Sequence, residues 1–163
     1  ITSRDGTKAQ LWVGFPKGLE KPLGVILEVH GGPNLVTVDR YDALAQSWID
    51  DGWAYAALNY RGSVTFGREF RESFWGRVGV GEIDDIEAAI SWLESEGLAS
   101  ADSIFITGAS YGGFLTLLAL GKLPNRIAGG LAHVAQADWV AAYPQMNPAL
   151  QTSWRGFFVW VTG

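Results

Sequence analysis

Gly108-Ala109-Ser110-Tyr111-Gly112 is the run most suited to chemistry in this sequence, and Gly113 extends it. A serine in a G-x-S-x-G run suits a sharp strand-to-helix turn. Such a turn strains the serine backbone and lifts its hydroxyl off the carboxyl end of the strand. Ser110 is therefore the candidate nucleophile for acyl transfer. The flanking glycines fit that reading, because side chains there would strike the neighbouring strand or helix. The helix that follows would aim its N-terminal amides at the site, favouring negative charge as it develops. Acyl transfer also needs two donors for the tetrahedral oxyanion. One is expected to be the amide of Tyr111, the residue after the nucleophile. The other is expected from His30-Gly31-Gly32-Pro33, with Gly32 favoured over Gly31.

Three further residues are supporting candidates. His30 lies in the oxyanion loop, where a structural hydrogen-bonding role is expected of it rather than proton transfer. His133 reads as an inner-sheet or loop histidine, with the role of substitute base as the alternative. Asp138 reads as a loop-capping carboxylate, with orientation of a histidine as its alternative. With two histidines and no cysteine, no metal site is expected, and no cofactor is called for. Gly76, Gly79 and Gly81 do not follow a buried strand, so a nucleotide loop is set aside.

The elements that must position these residues alternate between strand and helix. Ala9 to Phe15 reads as a strand. Leu23 to Val29 is almost wholly apolar, as expected of a central strand covered on both faces. Tyr41 to Asp51 reads as a helix with Leu44, Trp48 and Ile49 on one side, stopped by Gly52. Trp53 to Tyr60 is a second buried strand, and Phe66 to Trp75 a short helix. In Glu82 to Glu96, Ile83, Ile86, Ile90 and Leu93 recur at helical spacing. Asp84, Asp85, Glu87, Ser91 and Glu94 are expected to face away. Asp84 and Asp85 suit the helix dipole and a salt bridge with Arg61. Ile104 to Thr107 is a short strand, Gly108 to Gly113 the sharp turn, Phe114 to Lys122 a helix and Ile127 to Val134 a strand. This alternation predicts an α/β fold with a mostly parallel sheet. From residue 139 to 163 the pattern is irregular and aromatic.

Composition bounds the partners. The 163 residues are 48% apolar and 18% charged, which fits one globular domain. A net charge of -5 without like-charge blocks gives no electrostatic reason to bind nucleic acid or anionic lipid. No apolar run reaches the length of a membrane span. The absence of cysteine points weakly to a cytoplasmic setting. A chain opening on Ile1 is expected to be processed, or a piece of something longer.

Several segments in order resemble the prolyl oligopeptidase-type serine peptidases, especially their acylaminoacyl-peptidase-like branch. They are Asp5-Gly6-Thr7, His30-Gly31-Gly32-Pro33, Asn59-Tyr60-Arg61-Gly62-Ser63, Phe74-Trp75-Gly76 with Asp84-Asp85, the Ser110 elbow with Gly113, and Ala137-Asp138-Trp139. The resemblance extends to about Phe158. It implies an α/β-hydrolase catalytic domain acting on short or N-acylated peptides, usually behind an N-terminal β-propeller. It also implies a sheet that stops before the last strands of that fold, giving one partial domain over residues 1–163. In α/β-hydrolases the triad runs Ser, acid, His. After Ser110 this chain offers only His133 and Asp138, in the wrong order, so the usual base and its acid are expected to be absent.

Three functions stay open: a serine peptidase acting on a peptide or ester substrate, a catalytically silent half-fold that self-associates, and an esterase-type fragment. A sheet ending near Val134 would leave an open edge. The uncharged, β-prone run within Trp154 to Val161 is expected to cover it as an added strand, with a tail folded back as a core helix in a monomer as the alternative. The open edge would make the chain a homo-oligomer, or the acceptor of a complementing C-terminal fragment.

Overall fold

The computed structural model describes residues 1–158. Five strands form one sheet: β1 (Gln10–Gly14), β2 (Val25–Val29), β3 (Ala54–Asn59), β4 (Ile104–Ala109) and β5 (Gly129–His133). Their spatial order is β1-β3-β2-β4-β5. β1 runs antiparallel to β3, and every other pairing is parallel. The expected mostly parallel α/β sheet is therefore present, with its antiparallel member at one edge.

The helices are α1 (Ala43–Asp50), α2 (Arg68–Glu72), α3 (Gly81–Ser95), α4 (Tyr111–Lys122), α5 (Trp139–Ala142) and α6 (Pro148–Phe158). The core lies between one sheet face and the helices α3 and α4. Val25, Leu27 and Val29 alternate along β2, Ala54, Ala56 and Leu58 along β3, and Ile104 and Ile106 along β4. This period of two puts all of them on one face. Ile83, Ile86, Ile90 and Leu93 of α3 and Leu115 and Ala119 of α4 meet them, most with no solvent exposure. On the other face α1 is held through ring contacts: Trp48 meets Trp53 edge-on, and Trp53 meets Phe105. No residue of α1 is fully buried, and Leu44 is exposed, so the stripe expected there is peripheral.

Two expectations are corrected. Asp85 does not face away: it is fully buried. It accepts bonds from the Arg61 backbone N–H at 2.8 Å, from Arg61 Nε at 3.0 Å and from Arg61 Nη2 at 2.7 Å, and the Ser3 hydroxyl donates to it as well. The salt bridge to Arg61 is as expected. The physical reason for the burial is that positions 82, 85, 86, 89 and 93 follow one another at helical spacing, so the acids extend the apolar stripe. The second correction concerns the tail. Trp154 to Phe158 is not a strand but the end of helix α6, and Trp154 is buried. Aromatic packing overrides β propensity here: Trp154 lies 4.5 Å from Trp139 and 5.8 Å from Tyr111, centroid to centroid. The rest of that run, Val159 to Val161, lies outside the described residues. The stretch after Asp138, without pattern in the sequence, folds as α5, a 3-10 turn at Tyr143–Gln145 and α6.

Candidate active site

Ser110 stands between β4 and α4 with φ 57° and ψ −116°. A positive φ is uncommon outside glycine and persists only where the surroundings over-determine it. The neighbours here do so. A Cβ on Gly112 would lie 2.0 Å from the Val29 carbonyl oxygen, and one on Gly108 would lie 2.5 Å from that same oxygen. A Cβ on Gly113 would lie 2.8 Å from the His133 carbonyl oxygen. The elbow is thus wedged between β2 and the end of β5. The Ser110 amide donates to the His133 carbonyl at 2.9 Å, closing the turn from the β5 side. The Ser110 side chain is exposed, and its hydroxyl does not cap α4.

Tyr111 opens α4, so its amide is one of the first-turn N–H groups that a helix leaves without an internal partner. Its ring is fully buried. Tyr60, Phe74 and Phe114 surround it at 6.3, 6.2 and 5.5 Å between centroids, along with Trp139 at 6.0 Å and Trp154. Its hydroxyl donates to Glu82, which is also fully buried and accepts from the Gly79 amide at 3.1 Å. Burial pushes the Glu82 carboxyl up to about 7.

The loop after β2 comes up against the elbow. A Cβ on Gly31 would sit 3.0 Å from the Ala109 carbonyl oxygen and 3.6 Å from Ser110 Cβ. Gly31 therefore packs against the nucleophile turn. Gly32 has φ 120° and turns toward Asn34 and Leu35. His30 is buried and structurally engaged. Nε2 is 2.8 Å from Ser63 Oγ, Nδ1 is 2.7 Å from the Gly31 carbonyl, and the ring stacks on Tyr60 at 4.5 Å. Burial lowers its pKa below the ordinary value. The Tyr60 hydroxyl donates to the His30 carbonyl at 2.7 Å, fixing the base of the loop.

The remaining candidates lie apart from a relay. His133 contributes its backbone to the elbow, and its side chain is exposed. Asp138 caps α5, accepting from the amides of Val140 at 2.9 Å and Ala141 at 3.0 Å. Among the described residues no hydrogen bond joins the Ser110 hydroxyl to His133 or Asp138. No group of three or more His, Cys, Asp or Glu side chains among them could hold a metal ion. No helix among them is long and apolar enough to cross a membrane. A separate cleft of about 580 Å³ opens beyond His30, lined by Trp12, Glu28, Tyr55 and Asp42 among others; Ser110 is not part of its wall. Sequence reasoning missed Glu82 and Tyr60 as supports of the elbow. The signal for Glu82 was its place three and four residues before Asp85 and Ile86 on the buried stripe.

The chain is similar to known proteins. The chain is 30% identical over 131 residues to acylamino-acid-releasing enzyme 1 of Oryza sativa subsp. japonica, covering 78% of this chain and 17% of the relative. It is 29% identical over 169 residues to dipeptidyl aminopeptidase BIII of Pseudoxanthomonas mexicana, covering 97% and 24%. Among solved structures, Pyrococcus horikoshii acylaminoacyl peptidase superposes with a TM-score of 0.82 at 26% identity, over 91% of this chain and 24% of that one. A puromycin hydrolase superposes at 0.87 with 24% identity over 98% and 25%, a likeness of fold. The chain thus spans about a quarter or less of the length of these proteins. The prolyl oligopeptidase family model matches residues 40–158. Its fold is that of the α/β-hydrolase peptidases, and the chain belongs to the prolyl oligopeptidase family of serine peptidases.

Proposed function

We propose that this chain carries the acyl-accepting site of a serine peptidase acting on short or N-acylated peptides, with Ser110 as nucleophile. The observation that supports this best is the exposed Ser110 held at φ 57° on a strand-to-helix turn. In the reaction Ser110 Oγ bonds to the scissile carbonyl carbon, and its proton passes to a base. The carbonyl oxygen becomes an oxyanion facing the Tyr111 amide and an amide of Gly31 or Gly32. The C–N bond then breaks, the amine leaves with the proton, and water hydrolyses the acyl-serine. The close approach of Gly31 to Ser110 favours Gly31 for the second donor over the Gly32 expected from sequence. The cysteine-free composition suits a cytoplasmic setting.

A second reading has its own support: the Ser110 hydroxyl has no hydrogen bond to a histidine among the described residues. Without a base the hydroxyl stays protonated and weakly nucleophilic. The chain alone would then be nearly silent, retaining about 10³–10⁴-fold acceleration over water from the oxyanion hole and binding. A base supplied by a complementing C-terminal fragment or a partner would restore turnover. The test is labelling by a fluorophosphonate, followed by intact mass. Slow, stoichiometric labelling lost in Ser110→Ala is expected, with poor turnover of an activated ester. Labelling that persists in Ser110→Ala overturns the assignment. Efficient ester turnover dependent on Ser110 would instead promote His133 to base.

A further inference from the structure

We propose that Glu82 is a positioning residue for acyl transfer, fixing through the Tyr111 hydroxyl the backbone amide that faces the oxyanion. This inference rests on the assignment of Ser110 and Tyr111 above. The peptide between them is set by two anchors. One is the strained Ser110 backbone; the other is the Tyr111 Cα, which is rigidly coupled to its ring. The rings of Tyr60, Phe74, Phe114, Trp139 and Trp154 wall the Tyr111 ring on several sides. Dispersion contacts hold its plane but resist sliding along the ring axis only weakly. The bond from the phenol to Glu82 acts along that axis. Glu82 is in turn held in the first turn of α3 and by the Gly79 amide. The path from carboxylate to oxyanion donor is therefore one side chain long.

A fully buried carboxylate is a costly way to anchor a ring. It supplies a charge-assisted bond, which is stronger and shorter than a neutral one. Because burial raises Glu82 to about 7, that bond changes character near neutral pH. Above about 7 the anionic carboxylate accepts from Tyr111; below it the acid is neutral and the bond weakens. The groups facing Glu82 are Tyr111 on α4, Tyr60 after β3 and Asp85 on α3. Both phenols are pushed far up by burial and stay neutral. Asp85 is clamped by Arg61. His30, stacked on Tyr60, has a lowered pKa and stays neutral near 7.

The deciding measurement is the amide shift of Tyr111 in the ¹⁵N-tyrosine-labelled chain, titrated from about pH 5.5 to 8.5. The wild type is expected to show one inflection near 7, absent in Glu82→Gln, which keeps a neutral acceptor. A Tyr111 amide that does not move over this range overturns the inference, whatever Ser110 does. Fluorophosphonate labelling gives the second readout. Tyr111→Phe and Glu82→Leu are each expected to slow the Ser110-dependent rate about tenfold, and their double variant to slow it no further. Glu82→Gln is expected to recover most of the rate. Equal rates in Tyr111→Phe and wild type, with labelling still lost in Ser110→Ala, overturn the positioning role while sparing the nucleophile. Labelling indifferent to Ser110→Ala condemns the nucleophile instead, and the amide titration then judges Glu82 alone.

Discussion

Ser110 owes its conformation to its neighbours, and those neighbours are the place to break it. Gly112→Ala would push a Cβ to 2.0 Å from the Val29 carbonyl oxygen and 2.8 Å from that of His30. Both are backbone atoms of a central strand and the loop after it, so neither can swing away. We expect a loss of about 3 kcal/mol or more, read as a lower urea midpoint with an unchanged slope. An alanine at Gly121, with nothing within 4 Å of its Cβ, serves as the control and is expected to be neutral or slightly stabilising. This part of the site was legible in the sequence, because glycine spacing encodes steric need directly. The Tyr111–Glu82 bond was not. An acid near the start of an amphipathic helix reads as a solvated, dipole-satisfying residue, and nothing local shows that a phenol will arrive from a helix about thirty residues later.

Three residues after parallel strands adopt backbone conformations that side chains rarely take: Thr65 at φ 77° in the loop between β3 and α2, Ser110 at 57° and Val134 at 42°. They follow β3, β4 and β5, at the carboxyl ends of parallel strands, where open α/β sheets bind their ligands. The strands were readable from their apolar runs. The antiparallel pairing of β1 was not, since alternation reports faces and not direction. The helix α3 carries the price of the buried acids. Asp85→Ala would leave Arg61, itself 7% exposed in its side chain, without its main partner. We expect a loss of about 3–5 kcal/mol, measured by denaturant titration, with Asp5 as a partial substitute. Glu82, and Glu28 on β2 with Asp42 near it, are both pushed to about 7 by burial from an ordinary value of 4.5. Between those limits the folded chain holds protons that the unfolded chain has released, so stability falls as pH rises from about 4.5 to 7. The melting temperature is expected to decline across that window. Glu28→Gln with Glu82→Gln should flatten the decline; a melting temperature that rises from pH 5 to 7 would contradict the burial of these acids.

At the scale of the molecule, β5 pairs with β4 alone among the described residues, and Leu131 and Val134 beside that edge are exposed. An unpaired strand edge with apolar flanks recruits another chain. We expect the purified chain to be a dimer or larger at micromolar concentration by light scattering, and Leu131→Lys to shift it toward monomer. A monodisperse monomer in both would dismiss the expectation. The sequence conveyed the mostly parallel sheet, because its strands alternate with helices along the chain. For the tail the favoured strand gives way to the helical alternative, because Trp154 and Phe157 find a ring pocket at Tyr111, Trp139 and Phe74 only after the chain has folded. That pocket has an optical consequence. The indoles of Trp139 and Trp154 lie 4.5 Å apart and are inclined at 31°, close enough for their excited states to mix. The pair should imprint an exciton couplet on the circular dichroism spectrum, superimposed on the helical bands. Its amplitude reports whether α6 is seated over the elbow, without any label or substrate, and Trp154→Phe should erase it while leaving the helical signal in place.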